Sequence, residues 1–153
     1  MKITYIHHSS FSVEINKCIL LFDYYKGNLP KFDENKKLYV FSSHSHYDHF
    51  DKAIFDLEKT HPNVTYILSN DIHVPKKDNI KFMGANERLL VDDLEIKTLF
   101  KSKVVEVIID GEFQSLYYFS AYEYMNNKTN KPYCYIYIKD NRLCDLEKSQ
   151  LIN

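Results

Sequence analysis

Six consecutive residues, His44-Ser45-His46-Tyr47-Asp48-His49, hold three of the seven histidines of this 153-residue chain, with a carboxylate among them. The apolar run Leu38-Tyr39-Val40-Phe41 leads into them, and a helix-like stretch follows from Asp51. A fold that carries this order must end a buried strand at the cluster and turn there into a helix. Four metal-ligand side chains then stand at a strand's carboxyl end. In an extended segment residues two apart point the same way, so His44 and His46 can grip one ion from one side. Asp48 and His49 fall where the chain changes direction and can be offered to a second ion close by. Imidazole and carboxylate together suit zinc, iron or manganese. A divalent ion held by such groups can make water a nucleophile at neutral pH.

The remaining pattern is mostly strand. Ile3 to Ile6 and Phe11 to Ile15 alternate apolar and polar residues, as half-buried strands do. Asn16-Lys17 reads as a two-residue turn into Cys18-Ile19-Leu20-Leu21-Phe22-Asp23, whose unbroken apolar run predicts a central strand covered on both faces. Gly27 and Pro30 mark the loop from Tyr24 to Lys37. Phe50, Ala53, Ile54 and Leu57 fall at helical spacing, with Asp51 placed to cap the start and Pro62 to stop it. Further strands are expected at Val64–Leu68, Ile80–Met83, Arg88–Val91, Leu94–Leu99, Val104–Ile109, Phe113–Phe119 and Tyr133–Ile138. Asp92-Asp93 and Asp110-Gly111 read as turns between them, and Asn126 to Lys131 as a polar loop.

Bulk properties narrow the function. The apolar fraction of 44% and charged fraction of 27% suit a soluble globular chain, and a net charge of −1 favours neither nucleic acid nor an anionic membrane as partner. No stretch approaches the roughly 18 apolar residues that cross a bilayer, and the N-terminus lacks the pattern of a signal peptide. Cys18, Cys134 and Cys144 are odd in number and unpaired by spacing, which points to a reducing cytoplasm and to buried small hydrophobes rather than disulfides.

Three segments together carry a family likeness: His8-Ser9-Ser10-Phe11 with Val13-Glu14-Ile15, then Ile19-Leu20-Leu21-Phe22-Asp23, then Val40-Phe41-Ser42-Ser43 running into the histidine cluster. Two hairpin strands, an apolar strand ending in Asp, another strand and HxHxDH resemble the metallo-β-lactamase superfamily. Within it they look most like small bacterial metal-dependent hydrolases of the ascorbate-6-phosphate lactonase-like kind. The resemblance implies an α/β fold, an αββα sandwich, here incomplete and mostly β with few helices. It implies one domain over residues 1–153, family-like over 1–100 with a diverged tail over 101–153. It also implies that His44 and His46 hold a first metal and Asp48 and His49 a second. Asp48 would hold the attacking water as the catalytic carboxylate, and Asp23 would support the ligands from behind.

The family completes its site with later residues that this chain lacks. No histidine follows His73, and neither Phe100-Lys101-Ser102-Lys103-Val104 nor Leu116 to Tyr122 supplies a replacement. Four ligands over two sites leave each ion two, so a single ion held by some of His44, His46, Asp48 and His49 is favoured over a full pair. Zinc is the first choice, with iron and manganese as alternatives. Truncation or a frameshifted tail accounts for the loss better than a purposeful half-domain. An unfinished sandwich would expose apolar surface, which association with a second copy or another chain could cover.

The other histidines are read as structural. His8 is expected to hydrogen-bond within the first hairpin, His61 to complement a helix end as a cation, and His73 to lie on a surface loop. The expected function is metal-dependent hydrolysis of an ester, lactone, amide or phosphoester, with a small-molecule substrate. The competing expectation is an inactive remnant of the same fold that acts as a binding or interaction protein.

Overall fold

The computed structural model describes residues 2–92 and 94–98 with their side chains, and the backbones of the strands Lys103–Ile109, Gln114–Ala121 and Tyr133–Lys139. The chain is mostly β. Its contacts group it into two compact units, Met1–Met83 and Gly84–Asn153.

The first unit is a six-stranded mixed sheet formed by β1 (Lys2–His7), β2 (Ser10–Glu14), β3 (Cys18–Phe22), β4 (Lys37–Ser42), β5 (Thr65–Ser69) and β6 (Ile80–Met83). The strands lie side by side in chain order. β1 pairs antiparallel with β2 and β2 antiparallel with β3, while β3, β4, β5 and β6 run parallel to one another. Only β2 therefore runs against the rest, and the carboxyl ends of β1, β3, β4, β5 and β6 share one edge. The Asn16-Lys17 turn is closed by Ile15 N donating to Cys18 O at 3.0 Å, the two-residue hairpin expected there.

Every residue of β3 is buried, as its unbroken apolar run requires. Ile19, Leu21, Leu38, Val40, Tyr66 and Leu68 point to one core with Ile54, Val64, Ile72 and Ile80. Their alternates Leu20, Phe22, Tyr39, Phe41 and Ile67 are buried as well, and the Phe22 and Phe41 rings stack at 4.7 Å. Each such side chain taken from water contributes about 1.5–3 kcal/mol, so β3 and β4 anchor the sheet from which the candidate site hangs. Cys18 is buried, in line with its expected role; Cys134 and Cys144 fall outside the residues whose side chains are described.

The helix after the histidine cluster is a 3₁₀ helix, Lys52–Lys59, and is the only helix among the described residues. Asp51 caps it as expected, its side chain accepting from Ala53 N at 2.7 Å. Ile54 is its one fully buried residue, and Tyr66 of β5 donates its hydroxyl to Ile54 O at 3.1 Å. His61, expected to complement the helix end, does follow the helix and is buried there against Phe32, with ring centroids 5.9 Å apart. Its backbone N–H donates to Leu57 O at 2.8 Å, and this last turn draws the imidazole into the core. His73 is exposed, as expected.

The second unit is a five-stranded antiparallel sheet of β7 (Arg88–Val91), β8 (Leu94–Thr98), β9 (Lys103–Ile109), β10 (Gln114–Ala121) and β11 (Tyr133–Lys139), again adjacent in chain order. The registers Leu94↔Ile109 and Ser115↔Ile108 fix the pairing of its middle strands. Asp92 lies in a turn at φ +51°, as expected between β7 and β8, while its neighbour Asp93, the expected turn at Asp110-Gly111 and the loop from Asn126 to Lys131 lie outside the described residues. No helix among the described residues is long and apolar enough to cross a membrane.

Candidate metal centre

The shared direction of β1, β3, β4 and β5 gathers four chain segments at one sheet edge. His8 follows β1, Asp23 follows β3, Ser43 to His49 follow β4, and Asp71 follows β5. This is the edge at which open sheets of parallel strands usually bind ligands. The segment after β4 turns sharply, with His49 N and Phe50 N both donating to His46 O at 2.9 Å, and so Asp48 and His49 come back toward the sheet.

Asp23 organises the interior of the site. It is fully buried, and its φ of +44° places it in the left-handed region that non-glycine residues seldom enter. Its Oδ1 accepts from Ser43 N at 2.7 Å and its Oδ2 from Ser43 Oγ at 2.7 Å. The same Oδ2 lies 2.6 Å from His49 Nδ1. With Nδ1–H given to this carboxylate, His49 Nε2 carries the free lone pair. Ser43 Oγ, its own proton given to Asp23, accepts from His44 Nδ1 at 2.9 Å, and His44 Nε2 is then left facing His46 Nδ1 at 3.1 Å. One carboxylate thus sets the orientation of two imidazoles, His49 directly and His44 through Ser43.

The four predicted ligands fall into two adjacent groups. His44 and His46 form one, with ring centroids 4.6 Å apart; His44 is buried and His46 exposed. Asp48 and His49 form the other, with Asp48 Oδ2 3.7 Å from His49 Nε2. The His44 and His49 rings are 4.0 Å apart, so the groups touch.

A fifth residue joins them. His8 Nε2 lies 3.2 Å from Asp48 Oδ2, and His8, Asp48 and His49 each offer a ligand atom within 4.8 Å of the others. His8 Nε2 is shielded from solvent and has no hydrogen-bond partner among the described residues. Like Asp23, His8 sits at positive φ, +52°. His8, expected in a structural hydrogen-bonding role, is brought to this cluster by topology. β1 and β3 flank β2 and so share a direction, and the residues that follow them emerge at the same sheet edge.

These residues suit a metal ion. Ligand atoms around tetrahedral zinc stand about 3.3 Å from one another, close to the 3.2 and 3.7 Å separations that Asp48 Oδ2 makes with His8 and His49. A solvent-shielded imidazole nitrogen that meets a carboxylate at 3.2 Å without a hydrogen bond to it is a geometry that a shared ion would satisfy.

Around this centre, Asp71 receives Ser45 N and Ser45 Oγ, each at 3.1 Å, and ties the loop after β5 to the histidine segment. Burial works to raise the Asp71 pKa, but the hydrogen bonds from Ser69 and Ser45 and the nearby His44 outweigh it, and the carboxyl titrates below its ordinary value. Tyr25 packs on both His7 and His8, with centroids at 5.6 and 6.3 Å. Its hydroxyl is pushed above its ordinary pKa by burial, and then by the charges of Asp48, Tyr47 and Tyr5. A separate open cleft of about 590 Å³ lies beside the loop after β5, lined by residues that include Asn70, His73, Lys76 and Phe82; it shares no residue with the five-ligand cluster.

No family model matches this chain, and no curated protein matches it. Whatever chemistry it performs has to be read from its own geometry.

Proposed function

We propose that the chain is a metal-dependent hydrolase of the metallo-β-lactamase type, acting on an ester, lactone, amide or phosphoester. The observation that carries this reading is the convergence of His8, His44, His46, Asp48 and His49 at one sheet edge, with buried Asp23 directly behind His49.

A divalent ion, zinc first among candidates, would supply Lewis acidity and an acidified water to this site. His8, Asp48 and His49 would hold it, and His44 with His46 would hold a second. Asp48 is the only carboxylate in the ligand cluster and its side chain keeps 19% of its exposure. It can orient the attacking water and accept its proton. Asp23 orients the imidazole of His49 directly, and that of His44 through Ser43, so that each Nε2 points away from the buried carboxylate. Buried Ser9 donates Oγ to Asp48 O at 3.2 Å and fixes the backbone that carries this carboxylate.

Metal analysis of the purified full chain tests the reading, with His46→Ala and His8→Ala beside it and phenyl acetate as a trial substrate. Stoichiometric zinc, manganese or iron that falls in the variants, together with turnover that chelation abolishes, is the expected result. A chain that retains no metal, or variants that retain as much as the parent, would overturn it.

A further inference from the structure

Tyr25, from the loop after β3, packs against His7 and His8 beside the candidate metal centre, and Tyr47 lies within the histidine cluster itself, while Tyr5 of β1 packs edge-on against Phe11 and is near enough to act on the Tyr25 hydroxyl. Tyr47 is 82% exposed and Tyr5 47% exposed, although aromatic rings of this size are ordinarily taken out of water. Tyr25 is half-buried, and Tyr5, Tyr47 and Asp48 are the charged or ionisable groups that act on its hydroxyl.

The position of Tyr25 is built by the fold. Tyr24 donates its hydroxyl to Gly27 O at 2.9 Å and closes the loop on itself. Gly27 has φ +105°, and a Cβ there would meet Ile6 Cγ2 at 3.0 Å and His7 Cβ at 3.1 Å. The missing side chain thus lets the loop press against the end of β1, and that approach lays the Tyr25 ring over His7 and His8. His8 Nε2 is in turn 3.2 Å from Asp48 Oδ2. An aromatic ring therefore stands one side chain away from the ligand atoms.

We infer that Tyr25, flanked by Tyr5 and Tyr47, is the specificity-determining wall of this centre, and that it selects substrates carrying an aryl group next to the bond that is cleaved. The inference rests on the metal-hydrolase reading and names its substrate class: aryl esters or aryl phosphoesters rather than small aliphatic or highly anionic ones. Offset or edge-on contact with an aryl ring is favourable beyond the area it buries. An unpaired anion on the same ring face would meet the negative π cloud instead.

Binding of two phosphonates to the zinc-loaded full chain by titration calorimetry tests it. Phenylphosphonate and methylphosphonate carry the same metal-seeking headgroup and differ in the ring alone. The parent should bind phenylphosphonate about fivefold to tenfold more tightly. Tyr25→Phe should keep this preference, and Tyr25→Leu should bring it close to parity while leaving zinc stoichiometry unchanged. Tyr47→Leu alters an exposed side chain that folding does not depend on, and it should reduce the preference in part. The inference is overturned if the parent shows no preference, if neither phosphonate binds, or if the preference survives in both leucine variants. Turnover of phenyl acetate separates the two ideas. A chain that prefers the phenyl probe yet hydrolyses nothing loses the hydrolase reading and keeps the aromatic wall.

Discussion

The Nδ1 of His49 and the Oδ2 of Asp23 are 2.6 Å apart, and their side chains are 3% and 0% exposed. A pair this close and this dry does two things. It fixes which nitrogen of His49 faces outward, and it leaves Asp23 dependent on His49 and Ser43 for compensation of a buried carboxylate. Asp23→Asn keeps the shape and tolerates the positive φ, but it replaces an acceptor with a donor opposite His49. Metal affinity should fall about 10–100-fold. Urea unfolding in the presence of chelator should show a loss of about 1.5–3 kcal/mol. An affinity equal to the parent's would show that Asp23 does not orient the ligands.

The two ligand groups differ in setting, and the ions should differ in grip. His8, Asp48 and His49 offer three donors with solvent-shielded His8 Nε2 among them, while His44 and His46 offer two and His46 is exposed. Zinc at about a hundred times its dissociation constant should stabilise the parent by about 2.7 kcal/mol. That gain should vanish in His8→Ala and survive in part in His46→Ala, as thermal melts with and without zinc would reveal.

Gly27→Ala places a methyl group against Ile6 and His7 at a backbone angle that side chains rarely adopt. The expected cost is about 1–3 kcal/mol by chemical denaturation. Because Tyr25 lies two residues away, the same variant should also weaken phenylphosphonate binding with little effect on methylphosphonate.

The Tyr66 hydroxyl is buried and donates to Ile54 O, and Tyr66→Phe should cost about 1 kcal/mol at neutral pH. Burial pushes the Tyr66 pKa up, and the charges of Glu58 and Asp56 add to the effect. A group whose folded pKa lies above its unfolded value contributes fully below the unfolded value and loses that contribution as pH rises toward the folded one. Stability of the parent should therefore decline above about pH 10. Tyr66→Phe should decline less steeply, and parallel profiles for the two would rule Tyr66 out as the cause.

Much of this architecture was legible in the residues. The unbroken run from Cys18 to Phe22 required burial on both faces, and Asn16-Lys17 required a hairpin. Asp51 announced the helix start. The helix type was not legible, because apolar residues at Phe50, Ala53, Ile54 and Leu57 satisfy an α pattern over a span too short to distinguish it from 3₁₀. Nor was the burial of His61, which depends on Phe32 arriving from a distant loop. In the site, HxHxDH marked four of the donors outright. His8 and Tyr25 escaped because neither belongs to a spacing pattern. His8 is delivered by strand direction, and Tyr25 by a glycine that permits close approach.

The order of the strands has a bearing on how the centre comes into being. Each of β1 to β6 lies beside its neighbour in the chain, so no strand waits for a later one to be inserted between it and its partner. The five donors all fall within residues 8–49. During synthesis at about 5–20 residues per second, β1 to β4 can pair and bring these donors into reach before the last strands of the second unit are made. If the centre takes an ion as proposed, nascent chain could capture it while the rest is still emerging, and metal supply in the cell would act on the yield of folding.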